Sequence, residues 1–107
     1  MTVTLINTFV VPPEVEQEFV DTWRATVQHF TKAPGFIQTR LHRNTGLNDT
    51  TFRYVNVARW KSVEAYRAAL EGFVPAGQRF PGVVAHPGLV DVVVDVTADA
   101  RAEGSDA

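Results

Sequence analysis

Residues 52–70 read FRYVNVARWKSVEAYRAAL, and a change of period inside this stretch decides the fold. Up to Trp60 the chain alternates: Phe52, Tyr54, Asn56, Ala58 and Trp60 fall on one face, Arg53, Val55, Val57 and Arg59 on the other. A period of two in aromatic and β-branched residues predicts a strand. At Lys61-Ser62 the period lengthens. Ser62 suits a helix N-cap, Glu64 the positively polarised first turn, and Ala65, Ala68, Ala69 and Leu70 carry the helix onward. Asn56 and Trp60 therefore face the same way near the end of a strand, with Tyr66 one turn into the next helix. An amide on an aromatic face needs a hydrogen-bond partner when buried: backbone, water or a ligand.

Toward the N-terminus, Val3 to Val11 alternates as another strand, with Val3, Leu5, Asn7 and Phe9 sharing one face. Asn7 again sets a carboxamide among apolar neighbours. Pro12-Pro13 ends that strand. Val15, Phe19, Trp23, Val27 and Phe30 then recur at helical spacing over about five turns. Trp23 either packs on the sheet or forms one wall of a pocket. Pro34-Gly35 closes the helix, and Phe36 to Arg43 is a strand with Ile37, Thr39 and Leu41 opposite Phe36, Gln38, Arg40 and His42. Asn44 to Thr50 reads as a hairpin loop. Beyond Leu70, the Gly72, Phe73 and Pro75 region breaks the helix, and Ala76 to Phe80 has room for a short helical turn. Pro81 to Gly88 reads as a loop, and the valine-rich run Leu89 to Val96 as the last strand. Residues 1–97 form one domain, and residues 98–107 an acidic, mobile tail.

The order β-α-β-β-α-β predicts an α+β, ferredoxin-like fold: a four-stranded antiparallel sheet with both helices on one face. Ile6, Val10, Ile37, Leu41, Val55, Val57, Val90, Val92 and Val94 leave the other face apolar. Such a face predicts a homodimer, two sheets packed face to face as an α+β barrel.

Composition narrows the function. The 107 residues are 45% hydrophobic and 21% charged, the profile of a soluble domain. No apolar run reaches the roughly 20 residues that span a bilayer, so a cytoplasmic protein without membrane contact is expected. Cysteine is absent, which removes disulfide and thiolate chemistry. A net charge of −2 without a basic stripe argues against nucleic acid. His29, His42 and His86 are not at metal-ligand spacing, although His86 lies where a loop edges a pocket. Asp91 and Asp95 share a strand face and serve to keep a sheet edge soluble. What remains is Asn7, Asn56, Trp60, Tyr66 and Arg79 around an apolar cavity, with Trp23 nearby. Amides and an arginine in a dry pocket can hold and polarise an oxyanion.

The segments VTLINTF at the start, APGF at Ala33 to Phe36, and YVNVARWKSVEAYRAAL from Tyr54 resemble the antibiotic biosynthesis monooxygenase family, over about Val3 to Val96. Within it the chain is most similar to the anthrone oxygenases of aromatic polyketide pathways. That resemblance implies dimeric α+β barrels that turn an anthrone into a quinone with dioxygen and no cofactor. It implies Asn7 and Trp60 as the functional pair, with Asn56, Tyr66 and, across a gap, Arg79 around the substrate.

Other readings share the same pocket. A haem-degrading branch uses a first-strand Asn, a Trp in the second helix and a His after it; Asn7 would serve, but Ala69 and Arg79 stand where the others are expected. A polyketide cyclase or isomerase would need the enolate-holding pocket without oxygen. A non-catalytic dimer would only sequester a small molecule.

Overall fold

In the computed structural model, which describes residues 1–48, 51–73 and 80–99, strand β1 is Val3–Val10, helix α1 is Glu16–Thr31, and β2 is Phe36–Arg43. Strand β3 is Tyr54–Trp60, α2 is Val63–Leu70 and β4 is Val84–Val90, with a 3-10 turn at Pro13–Val15 before α1. The four strands form one antiparallel sheet in the order β2-β3-β1-β4. The fold is the expected α+β, ferredoxin-like one.

The punctuation residues act as their chemistry requires. Pro13 stands in the 3-10 turn and Glu16 and Glu18 in the first turn of α1, where the helix dipole favours negative charge. Ser62 is the N-cap of α2, its hydroxyl accepting from the Ala65 N–H at 3.1 Å. Gly35 ends the α1–β2 connection at φ +87, and its carbonyl accepts from the Lys61 N–H at 2.8 Å. A Cβ there would lie 2.5 Å from the Ala65 Cβ, so only glycine permits α2 to sit this close.

Both helices cover one face of the sheet. Leu5, Ala58, Trp60 and Ala69 form one buried cluster; Phe9, Val11, Phe19 and Tyr54 form another. Between the clusters, the same face carries Asn7 and Asn56, directly opposite each other on β1 and β3.

Three local expectations are corrected by pairing. First, the register of β2 on β3 shifts between Phe36 and Gln38: Phe36 opposes Trp60, but Gln38 opposes Arg59 and Thr39 opposes Ala58. This bulge puts Thr39 and Leu41 on the helix-covered face together with Phe36. Leu41 packs against the second core cluster instead of the open face. Second, β4 is Val84–Val90, because those residues, not Leu89 to Val96, are in register with β1. Val92 and Val94 lie beyond the strand and are exposed. Third, His86 is consequently in a strand, pairs with Thr8 on the open face, and is not among the residues that line the cavity between helices and sheet. The expected turn over 76–80 falls mostly on residues outside those described, as do the end of the hairpin loop at 49–50 and the tail from residue 100.

One polar clamp ties α1 to β3. The Tyr54 phenol donates to Glu16 Oε1 at 2.6 Å, and Arg53 Nε donates to the same oxygen at 2.8 Å. These two bonds, the tyrosine's first, hold the Glu16 carboxyl below the usual glutamate range. A lowered folded pKa means stability that is complete above the ordinary glutamate value and lost as pH falls through the folded one. The urea midpoint of the wild type should therefore drop as the pH is taken down through that acidic window. Glu16→Gln should start lower near neutral pH and lose this acid step. An unchanged step in the variant would assign it to another carboxylate.

Candidate active site

A cavity of about 450 Å³ lies between the helices and the sheet. Its floor is Leu5, Asn7 and Phe9 of β1, Asn56, Ala58 and Trp60 of β3, Phe36 and Thr39 of β2, and Ala85 and Pro87 of β4. Trp23, Thr26, Val27 and Phe30 of α1 and Tyr66 and Leu70 of α2 close the helix side. A volume of this size holds a small organic molecule.

Five of the six residues singled out from the sequence line this one cavity: Asn7, Trp23, Asn56, Trp60 and Tyr66. Arg79 lies outside the described residues. Alternation explains the convergence, since Asn7 and Asn56 are cross-strand partners and Trp60 lies four residues, two full pleats, beyond Asn56. Trp23 is half-buried on α1 and contributes a wall, the second of the two roles its spacing left open. Thr39 also lines the cavity, although strict alternation assigns it to the other face; the signal that brings it inward is the bulge, invisible to local periodicity.

The polar groups are few. Among the described residues, Asn7 Oδ1 and Trp60 Nε1 are buried with no hydrogen-bond partner. Leaving such atoms dry and unpaired costs about 1–3 kcal/mol each, an expense that a ligand offering a donor and an acceptor would remove. Asn56 Oδ1, by contrast, accepts from the Thr39 hydroxyl. Trp60 is 2% exposed and fixed edge-to-face by Phe30, Phe36 and Tyr66, with ring centroids 6.0, 5.3 and 5.7 Å away. Its indole cannot turn away to find another partner.

Tyr66 is the one ionisable side chain among the described residues that line the cavity. Burial pushes its phenol above the ordinary tyrosine value, so it is neutral at physiological pH and acts as a hydroxyl donor or acceptor. No histidine faces the cavity. His29 Nε2 lies 3.0 Å from the Ala69 carbonyl and its ring stacks on Phe73, while His42 and His86 are on the open face of the sheet. No cluster of three or more potential metal ligands occurs among the described residues. The arrangement is an aromatic-lined cavity with few polar groups, among them the Asn7 amide and the Trp60 indole N–H.

Residues 2–73 match the antibiotic biosynthesis monooxygenase family. The chain belongs to this family. Deoxynogalonate monooxygenase of Streptomyces nogalater is 37% identical over 78 residues, which is 68% of this chain and 60% of that protein. The matched part thus spans less than two thirds of that relative. The crystal structure of SnoaB, a cofactor-independent oxygenase from the same organism, superimposes with a TM-score of 0.73 at 29% identity, covering 91% of this chain and 98% of SnoaB. MhuD, a haem degrader from Mycobacterium tuberculosis solved with two haems in its active site, shares 26% identity with a TM-score of 0.62, covering 89% of this chain and 99% of its own. The solved structures that resemble this chain thus include both a cofactor-independent oxygenase and a haem degrader.

Proposed function

We propose that this protein is a cofactor-independent monooxygenase that oxidises an enolisable, anthrone-like polycyclic aromatic to a quinone with dioxygen. The observation that carries the reading is the pair of unpartnered buried polar atoms, Asn7 Oδ1 and Trp60 Nε1, in an otherwise aromatic box. The relation to the cofactor-independent SnoaB supports it. Asn7 and Trp60 are proposed as the catalytic pair, with Asn56, Tyr66, Trp23 and Arg79 as substrate-binding residues, Arg79 being outside the described residues.

The substrate supplies the reducing power. A methylene flanked by two aromatic rings and conjugated to a carbonyl loses a proton to give an electron-rich enolate, and amide N–H groups hold the enolate oxygen. The carbanion carbon passes electrons to dioxygen and forms a C–O bond. Protonation gives a hydroperoxide; loss of the remaining C–H proton and cleavage of the O–O bond leave a C=O and release water. One methylene and one dioxygen thus become one carbonyl and one water. The protein's part is to exclude water, stack the rings against Trp23, Phe30 and Phe36, and fix the enolate. The haem alternative does not fit this wall, which presents no imidazole to an iron.

The test is oxygen uptake with quinone absorbance, using metal-stripped protein and a simple anthrone, against the protein-free autoxidation rate. Rate enhancement without added flavin or metal, reduced in Trp60→Phe, is the expected result. Turnover of an enolisable substrate without oxygen uptake would instead mark an isomerase or cyclase, and binding without turnover a sequestering protein.

The protein is also proposed to work as a homodimer. Ile6, Val10 and Val90 on the open sheet face are 37–42% exposed, and the half-buried Val55 and Val57 continue that face onto the neighbouring strand β3. An apolar face of this extent on a monomer favours association. Light scattering should give twice the chain mass, and Val57→Lys should shift it to the monomer.

A further inference from the structure

We propose that Thr39 is a positioning residue, which orients the Asn56 carboxamide so that its N–H groups, and not its oxygen, meet an anionic oxygen in the cavity. The proposal rests on the functional reading above and adds to it a device in β2. The bulge between Phe36 and Gln38 turns Thr39 inward, one position from where unbroken alternation would send it out. Bulges beside sites re-aim side chains in this way. Thr39 is half-buried and its hydroxyl donates to Asn56 Oδ1.

The consequence follows from the inventory of the amide. With Oδ1 occupied by the threonine, the free end of Asn56 is Nδ2, which only donates. An enolate or phenolate oxygen only accepts, so the two ends of the carboxamide differ in sign toward it: N–H attracts, C=O repels. Rotation of the amide would exchange them. Among the contacts of the described residues, the Thr39 hydroxyl is what holds the Asn56 oxygen, so without it the carboxamide can rotate and present C=O to the ligand.

The test uses the whole chain and a monohydroxylated anthraquinone whose phenol is remote from its carbonyls. This probe is already oxidised and coloured as its anion, so it reads anion holding without any turnover. Wild-type protein should lower the apparent pKa of the bound phenol by about one unit, since donors to the charged form favour it. Thr39→Val, nearly isosteric but without the hydroxyl, should abolish most of that shift, and Thr39→Ser should restore it. In an Asn56→Ala background Thr39→Val should add nothing, because the hydroxyl acts through the amide. With an anthrone, Thr39→Val should lower kcat about tenfold, less than outright removal of a donor, with KM little changed. Equal shifts in wild type and Thr39→Val, a serine variant as poor as the valine one, or an undiminished effect in the Asn56→Ala background would each overturn the proposal. A threonine-dependent shift without oxygen uptake would uphold the positioning role and overturn the oxygenase reading; oxygen uptake without any phenol shift would do the reverse.

Discussion

Asn7→Ala should lower anthrone oxidation by a factor on the order of 10²–10³, with KM changed only by about two- to threefold, because the amide is proposed to act most strongly on charge that develops after binding. Asn7 sits mid-strand in β1, its Cα paired to Asn56 on one side and Pro87 on the other, so the sheet fixes its position on both flanks. Its Oδ1 is buried without a partner among the described residues, so no hydrogen bond of the fold holds that oxygen. Removing it should spare stability, or raise it, since an unsatisfied buried group goes with it. This gives the measurement two arms: oxygen-uptake kinetics and a urea melt on the same variant. A large loss of kcat with an unchanged or higher midpoint marks a functional residue. Loss of both would mean that Asn7 supports the sheet and that its place in the site is incidental. Asn7→Asp sharpens the test, because a carboxylate beside a developing enolate repels it and should be at least as slow as alanine.

Phe19→Ala should have the largest effect on stability, about 3–5 kcal/mol, against a total of roughly 5–15 for a domain of ordinary stability. Phe19 is 0% exposed and lies between Phe9 and Tyr54, with ring centroids 5.0 and 5.5 Å away. It joins α1 to β1 and β3 at the end of the sheet where the Glu16 clamp also sits. Truncation leaves a void that its two rigid aromatic neighbours, Phe9 and Tyr54, cannot collapse into. Trp23→Ala, one turn further along the same helix face, is the comparison: that side chain is half-buried and borders an existing cavity. Its loss should cost well under half as much stability while weakening binding of a polycyclic ligand. Urea midpoints of the two variants, measured side by side, check both statements. Equal costs would mean that Trp23 belongs to the core and not to the cavity wall.

The family relation adds a constraint to these expectations. SnoaB and MhuD both superimpose on this chain, so the backbone alone does not choose between an oxygenase without cofactor and a haem binder. The choice is made by side chains on the cavity wall: neutral amides, an indole and a phenol, with no imidazole turned inward.

By itself, the sequence determined the order of elements and brought five of its candidate residues to one cavity. Alternation from Tyr54 to Trp60 and again from Val3 to Val10 placed Asn56, Trp60 and Asn7 on one face, and the change of period at Ser62 placed Tyr66 over it. These are local properties, written in residues a few positions apart. The tertiary structure decided what depends on pairing between distant strands. Valine richness marks Leu89 to Val96 as a strand as strongly as any other run, yet hydrogen-bond register with β1 selected Val84–Val90 and left the later valines exposed. Likewise, nothing near Ile37 announces that one residue of β2 is left out of the ladder. That extra residue exists only relative to β3, and it turned Leu41 into the core and Thr39 toward Asn56. A period can be read along one chain segment; a register needs two.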